Sequence, residues 1–200
     1  MPSTLQVNKI IDGSATTNKE LAEYASGNWS WGSGVPNDTL IQIKIAEKTG
    51  FQSSTKRIGD TDPWVEITDL SVDITPKSNS NKILVIATVC GQHFSNTAFL
   101  AFKVLRNGSD TVRGDARGSS TRIGAGISCL YNVDANAPPL SASQIFLDSP
   151  SSTSQLTYKV YATNVNSTTS STWAINGSNN SGANYNSSSQ SSITVIEVKA

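Results

Sequence analysis

The chain carries one histidine, His93, at the end of an apolar run beside Gly91 and Gln92. A nucleophilic triad needs a base beside a hydroxyl or thiol, and a structural zinc site needs four N or S ligands. One histidine and two cysteines supply neither. Cys90 and Cys129 each lie in an apolar stretch and are expected as buried free thiols. Carboxylate pairs are the remaining route to acid–base work or to a hard cation. The candidates are Asp60 with Asp62, Asp110 with Asp115, and Asp134 with Asp148; each sits among Gly, Asn, Ser or Pro, where Asp serves as a turn former. Gly124-Ala125-Gly126 precedes no helical pattern and lacks the Lys of a phosphate-binding loop. The residues point to a binding or structural protein without catalytic residues, metal or cofactor. Asp134 and Asp148 are the pair that a glycan depolymerase, the weakest of the functional readings, would use.

Binding chemistry is better represented. Trp173 and Tyr185, in polar surroundings rich in Ser and Asn, are candidates to stack on sugar rings at the surface. Leu21, Tyr24, Trp29 and Trp31 concentrate apolar area in a segment with no core of its own, so they are candidate anchors for docking on another surface. Thr17-Asn18-Lys19-Glu20 fits a capping box, and the run that follows ends near Gly27, which predicts a short helix over 17–26. Such a helix is too short to stand alone and must dock.

Hydrophobic residues are 36% of the 200 and charged residues 15%, while Ser, Thr, Asn and Gly fill the difference. That composition excludes a helical enzyme with a charge-laced surface and fits a β-rich fold with many turns. Net charge is +0 without a basic cluster, which excludes nucleic acid as a partner. The N-terminus has no apolar signal-peptide core, and no run is long enough to span a bilayer, so no membrane insertion is expected.

From Leu40 the pattern is that of strands. Ile41, Ile43 and Ile45 alternate with Gln42, Lys44 and Ala46; Trp64 to Ile67 and Leu70 to Ile74 repeat the alternation, predicting strands with one wet face. Residues 82–91, 98–105 and 193–198 are apolar on both faces. Asn107-Gly108 is a hairpin signal. Ile145 to Asp148, a turn at Ser149-Pro150, and Leu156 to Ala162 read as strand, turn, strand, a hairpin in which Leu156, Tyr158 and Val160 share one face. Residues 178–192 form a polar low-complexity loop expected at the distal surface. About ten strands follow, arranged as an all-β, two-sheet antiparallel sandwich of jelly-roll type (39–200) behind an N-terminal arm (1–38). A sandwich strand buries one face only, so the two-sided strands need a second cover, and another copy of the chain is the simplest. Leu84, Ile86, Phe99, Phe102, Ile196 and Val198 are the candidate oligomer-interface residues.

Phe146-Leu147-Asp148-Ser149-Pro150-Ser151-Ser152-Thr153-Ser154 with Leu156 to Tyr161 resembles a stretch that recurs in small virion proteins of marine tailed phages, cyanophages above all. Ser71 to Ser78, Ser80 to Val85, Arg106-Asn107-Gly108 and the closing Ile193 to Val198 agree in order, and Ser3 to Ile10 resembles the starts of fibre-like proteins of such phages. The resemblance implies a virion component assembled in the host cytoplasm. Fold-level analogy with trimeric jelly-roll heads of the C1q and tumour-necrosis-factor kind implies a homotrimer. The expected function is a tail-fibre or receptor-binding head that contacts a host-surface glycan or protein through its distal loops and other virion proteins through its arm. A capsid decoration or cement protein of the same fold is the alternative.

Overall fold

A computed structural model describes residues 9–12, 19–25, 28–31, 40–94, 99–109, 128–131, 139–165, 171–177 and 189–200, the first three segments and 128–131 through their backbone alone. Thirteen strands lie among them: β1 (Lys9–Asp12), β2 (Lys19–Ala25), β3 (Asn28–Trp31), β4 (Leu40–Lys48), β5 (Gln52–Ser54), β6 (Val65–Ile74), β7 (Lys82–His93), β8 (Phe99–Arg106), β9 (Ser128–Tyr131), β10 (Leu140–Asp148), β11 (Leu156–Asn164), β12 (Trp173–Ile175) and β13 (Ser191–Val198). Among the described residues the chain is all-β, with two antiparallel sheets forming its core.

One sheet runs β4-β13-β7-β12-β5, with β10 on the other edge of β7. The second runs β6-β11-β8-β9. Between them Val85, Ala87 and Val89 from β7 and Ile193 and Val195 from β13 pack toward Ile67, Leu70, Val72, Phe102, Val104, Tyr158 and Val160, all buried. Alternation along β11 falls as its sequence predicts, with Leu156, Tyr158 and Val160 inward. Most successive strands change sheets; β4 and β5, β8 and β9, and β12 and β13 are the consecutive pairs that share one. β4, β7, β10 and β13 lie in one, and β6, β8, β9 and β11 in the other.

That alternation of sheets corrects the hairpin expected at 145–161. β10 pairs with β7 while β11 pairs with β6 and β8, so the turn between them carries the chain from one sheet to the other. Asp148 is correspondingly more than a turn former. It ends β10 buried at 5% exposure, and its Oδ2 accepts from Arg106 Nη1 at 2.5 Å and from Tyr158 Oη at 2.6 Å, both on the opposite sheet. Burial, reinforced by the bond to Asp148, pushes the Tyr158 phenol far above its ordinary pKa, so it stays a donor.

Three further differences have physical causes. The helix expected over 17–26 is absent: Lys19–Ala25 is strand β2, bonded to β1 and β3. A two-turn helix satisfies few of its own end groups, whereas an extended segment between two others pairs along both edges. The two strands expected around Trp64 and Ile74 are one, β6, interrupted by Asp69 at φ 68°, an irregularity that puts both Ile67 and Leu70 inward. The ladder of β7 changes partner from β13 to β12 near Gly91, where a Cβ would stand 2.5 Å from Leu100 Cδ2 and 2.8 Å from the Ala174 carbonyl oxygen. Asn107 and Gly108, with φ 50° and 75°, make the predicted tight turn, closed by Ser109 N–H donating to Arg106 O at 2.9 Å.

The sandwich has two distinct ends. Leu40, at the start of β4, pairs with Val198, which also pairs with Lys82. Asp148 and Arg106 lie at this end too. The strand ends that flank residues 95–98, 166–170 and 178–188 lie at the other: His93 pairs with Trp173, Leu100 with Asn164, and Ser191 with Lys48.

The cross-sheet clamp yields a measurable expectation. Asp148→Ala leaves Arg106 and the Tyr158 hydroxyl without their acceptor and costs about 3 kcal/mol of stability, while Tyr158→Phe removes one hydrogen bond and costs about 1 kcal/mol. Urea unfolding checks both. A cost below about 0.5 kcal/mol for Asp148→Ala would show the clamp to be incidental.

Candidate functional site

The outward face of the sheet containing β4, β13, β7 and β10 is aliphatic. Register places Ile43, Ile196, Leu84 and Leu147 in one row across these four strands, and Ile45, Thr194, Ile86 and Ile145 in the next. Ile43 is 47% exposed, Ile45 60%, Ile145 64% and Leu147 49%; Leu84, Ile86, Ile196 and Val198 are half-buried by their neighbours. Toward the far end the rows become polar, with Glu47, Ser192, Thr88 and Ser143 in register and the Thr88 and Ser143 hydroxyls 2.8 Å apart. On these four strands the outward charges are Glu47, at the far end of β4, and Lys82, at the start of β7.

On β6 and β11 of the other sheet the outward residues differ: Glu66, Asp73, Thr157, Lys159 and Tyr161, with Lys159 Nζ 3.0 Å from Glu66 Oε1 and Thr157 Oγ1 donating to Asp73 Oδ1 at 2.6 Å, while the outward Ala101, Lys103 and Leu105 of β8 are buried. Polar side chains there satisfy one another across strands, which leaves that face content in water. Two aliphatic rows on a flat sheet have no such recourse, and contiguous apolar area of this kind marks an interaction surface.

Of the expected interface residues, Leu84, Ile86, Ile196 and Val198 share this face. Phe99 and Phe102 do not. Both lie on β8 in the other sheet, and Phe102 is fully buried in the core, where it cannot meet a partner. Ile43, Ile45, Ile145 and Leu147 complete the face. Alternation reveals that β4 has two faces, but its isoleucines were expected to be the inward ones. Instead Lys48 and Ala46 turn toward the interior, Lys48 burying its stem and donating to Thr68 Oγ1 at 2.8 Å.

Trp173 is corrected as a glycan contact. It is fully buried, with its Nε1–H donating to the Lys56 carbonyl at 2.9 Å, so no ring face is open. Tyr185 lies outside the described residues, as do Asp110, Asp115 and Asp134. Leu21 and Tyr24 fall on β2, and Trp29 and Trp31 on β3, with Tyr24 and Trp29 register partners. Cys90 is a buried free thiol. His93 ends β7 fully buried, its Nε2 3.1 Å from Ser171 Oγ. Asp60 is tied to its own turn, accepting from Arg57 N–H at 3.0 Å. Among the described residues no three His, Cys, Asp or Glu groups gather where they could hold a metal ion.

A second polar node pins the end where β4 begins. Glu197, fully buried, accepts at Oε1 from Lys77 N–H and Asn81 Nδ2, both at 2.7 Å, and at Oε2 from Gln42 Nε2 at 2.6 Å. It ties β13 to the start of β4 and to the 75–81 turn. Burial pushes this carboxyl up, but hydrogen bonds from Asn81, Gln42 and the Lys77 and Ser78 N–H groups outweigh it and hold the pKa below the ordinary glutamate range. No protein-family model matches the chain, and no curated protein matches it.

Because its folded pKa is depressed, Glu197 contributes stability that is full above the unfolded value near 4.3 and is lost as pH falls through the folded value. Glu197→Gln should therefore cost about 1–3 kcal/mol at neutral pH, where a donor replaces an acceptor, and progressively less in acid. Melting curves between pH 7 and pH 3 measure this; a cost that stays constant with pH would rule out the anionic node.

Proposed function

We propose that the chain is a non-enzymatic structural protein of a virion, the self-associating head of a tail fibre or receptor-binding protein that works as a homotrimer. The observation that carries the reading is the pair of aliphatic rows on the outward face of β4, β13, β7 and β10. Four strands about 4.8 Å apart and two to three rows about 7 Å apart give an aliphatic patch of about 300–400 Å². A stable interface buries about 800 Å² per partner, with an apolar centre and a polar rim. The aliphatic rows supply that centre and the Ser/Thr row beyond them part of the rim. With a net charge of +0 and charges only at the ends of these strands, the face brings copies together without strong repulsion.

The strand order, with β4, β13, β7 and β10 facing β6, β11, β8 and β9, supports a jelly roll, and with it the analogy to trimeric heads. Entry of the arm at one end, with residues 178–188 flanked by strand ends at the other, suits a protein attached to a particle through 1–38 and presenting loops outward. A rotation axis parallel to the strands keeps all arms on one side. The phage resemblance supplies the virion setting. Asp148, committed to Arg106 and Tyr158, is poorly placed to serve as a depolymerase carboxylate.

Light scattering of the purified chain should give three times the 21.2 kDa chain mass, and Ile86→Asp with Ile145→Asp should give a folded monomer by circular dichroism. A wild-type monomer would end the reading. Gold-labelled antibodies on particles separate its two settings: label on tail fibres is expected, whereas label at quasi-threefold points of the capsid would replace the fibre with a decoration protein.

A further inference from the structure

Packing copies through the aliphatic face leaves the other sheet looking outward from the assembly. On that outward surface one row crosses three strands in register: Glu66 on β6, Tyr161 on β11 and Lys103 on β8. Lys159 stands two residues along β11, and its ammonium grips Glu66 at 3.0 and 3.1 Å. The Tyr161 hydroxyl is 3.5 Å from Glu66 Oε2. Trp64, immediately before β6, lays its ring over Lys103 Nζ at 4.4 Å, and Lys103 is itself buried beneath this layer. Trp64 and Tyr161 are both half-buried, and Glu66 and Lys159 are more open, at 39% and 36% of their side chains.

We propose that Trp64, Tyr161, Glu66 and Lys159 form a platform for a chain of neutral pyranose sugars. The proposal rests on the host-contact reading above and moves the contact from the distal loops to the side of the head. Aromatic rings with an apolar body and a polar tip suit the C–H faces of a sugar. A carboxylate acceptor beside an ammonium donor offers both partners that a pair of sugar hydroxyls needs, through charge-assisted hydrogen bonds. Glu66 holds the Lys159 ammonium above its ordinary pKa, so Lys159 stays charged across the neutral range. Lys103, below Trp64, draws on the ring face turned toward it and fixes that ring's place. A single small molecule needs a concave pocket, whereas an open sheet surface gives each sugar of a chain a modest contact and gains by repetition. Glu66 and Lys159 offset each other's charge at 3.0 Å, so the pair offers hydrogen bonds without a net charge to draw uronic or sulfated chains, and neutral sugars are the better match.

Native electrophoresis through gels containing dextran, mannan or agarose-type galactan tests the platform, with alginate as the acidic comparison. Retardation is expected in at least one neutral gel and not in alginate. It should be lost in Tyr161→Ala and in Glu66→Gln, and kept in Tyr161→Phe, which preserves the ring. Glu66→Gln keeps the shape of the side chain, so it remains informative if Tyr161→Ala fails to fold. No retardation in any neutral gel, or retardation unchanged in both variants, overturns the proposal. A trimer that sits on fibres yet passes freely through every gel would overturn the platform alone; a monomer absent from particles that is still retarded would overturn the virion reading alone.

Discussion

A sheet in a two-layer sandwich buries one face, and β7 cannot be satisfied by that. Its inward Ile83, Val85, Ala87 and Val89 make the centre of the core, while Leu84 and Ile86 on its other side are left to the outside. Its neighbours repeat the arrangement. β13 sets Ile193 and Val195 inward and Ile196 and Val198 outward, and the outward residues of β4 and β10 fall in line with them. The aliphatic face thus arises from four strands at once, at consistent heights, with no loop or helix among the described residues lying over it. Cross-strand pairs of aliphatic residues stiffen the sheet, but the side they show to water still favours removal from it.

Several of the buried polar residues are placed where they fix geometry. Asp148, Arg106 and Tyr158 bind one sheet to the other near the end where β4 begins, and Glu197 gathers three segments at that same end. At the far end Asn176, at φ 60°, donates from Nδ2 to the Lys48 carbonyl at 2.6 Å and accepts from Ser191 Oγ at 2.7 Å, joining β4, β12 and β13. Apolar packing is tolerant of small slips; hydrogen-bonded buried groups are not, because each loses its partner if the sheets slide. These three nodes therefore hold the register that keeps the outward rows aligned.

The strands were legible because their signal is local. Period-two alternation in β11, the Asn107-Gly108 turn and the two-sided run of β7 follow from residue type and spacing alone. What was illegible depends on partners far along the chain. Alternation in β4 cannot say whether its isoleucines or its lysines face inward, since that is decided by β13 and β6. Phe102 and Phe99 carry the same aromatic signal, yet one is core and the other surface. Trp173 sits among Ser and Thr in sequence and among the most buried side chains in space. The segment at 19–25 follows a helical cap signal and precedes a helical stop, and still pairs as a strand because β1 and β3 offer it two edges.

The division of labour between the two outward faces follows from chemistry rather than from position. On β6 and β11 the outward residues pair as acid with base and as hydroxyl with carboxylate, which is the arrangement of a surface made to stay wet. On β4, β13, β7 and β10 the outward rows through Ile43 and Ile45 are aliphatic apart from Thr194, and they carry no charge to repel a copy of themselves. In the trimer we propose, a cyclic assembly with its axis along the strands, burying the aliphatic face would turn β6 and β11 outward in every copy and set the start of each β4 at the same end.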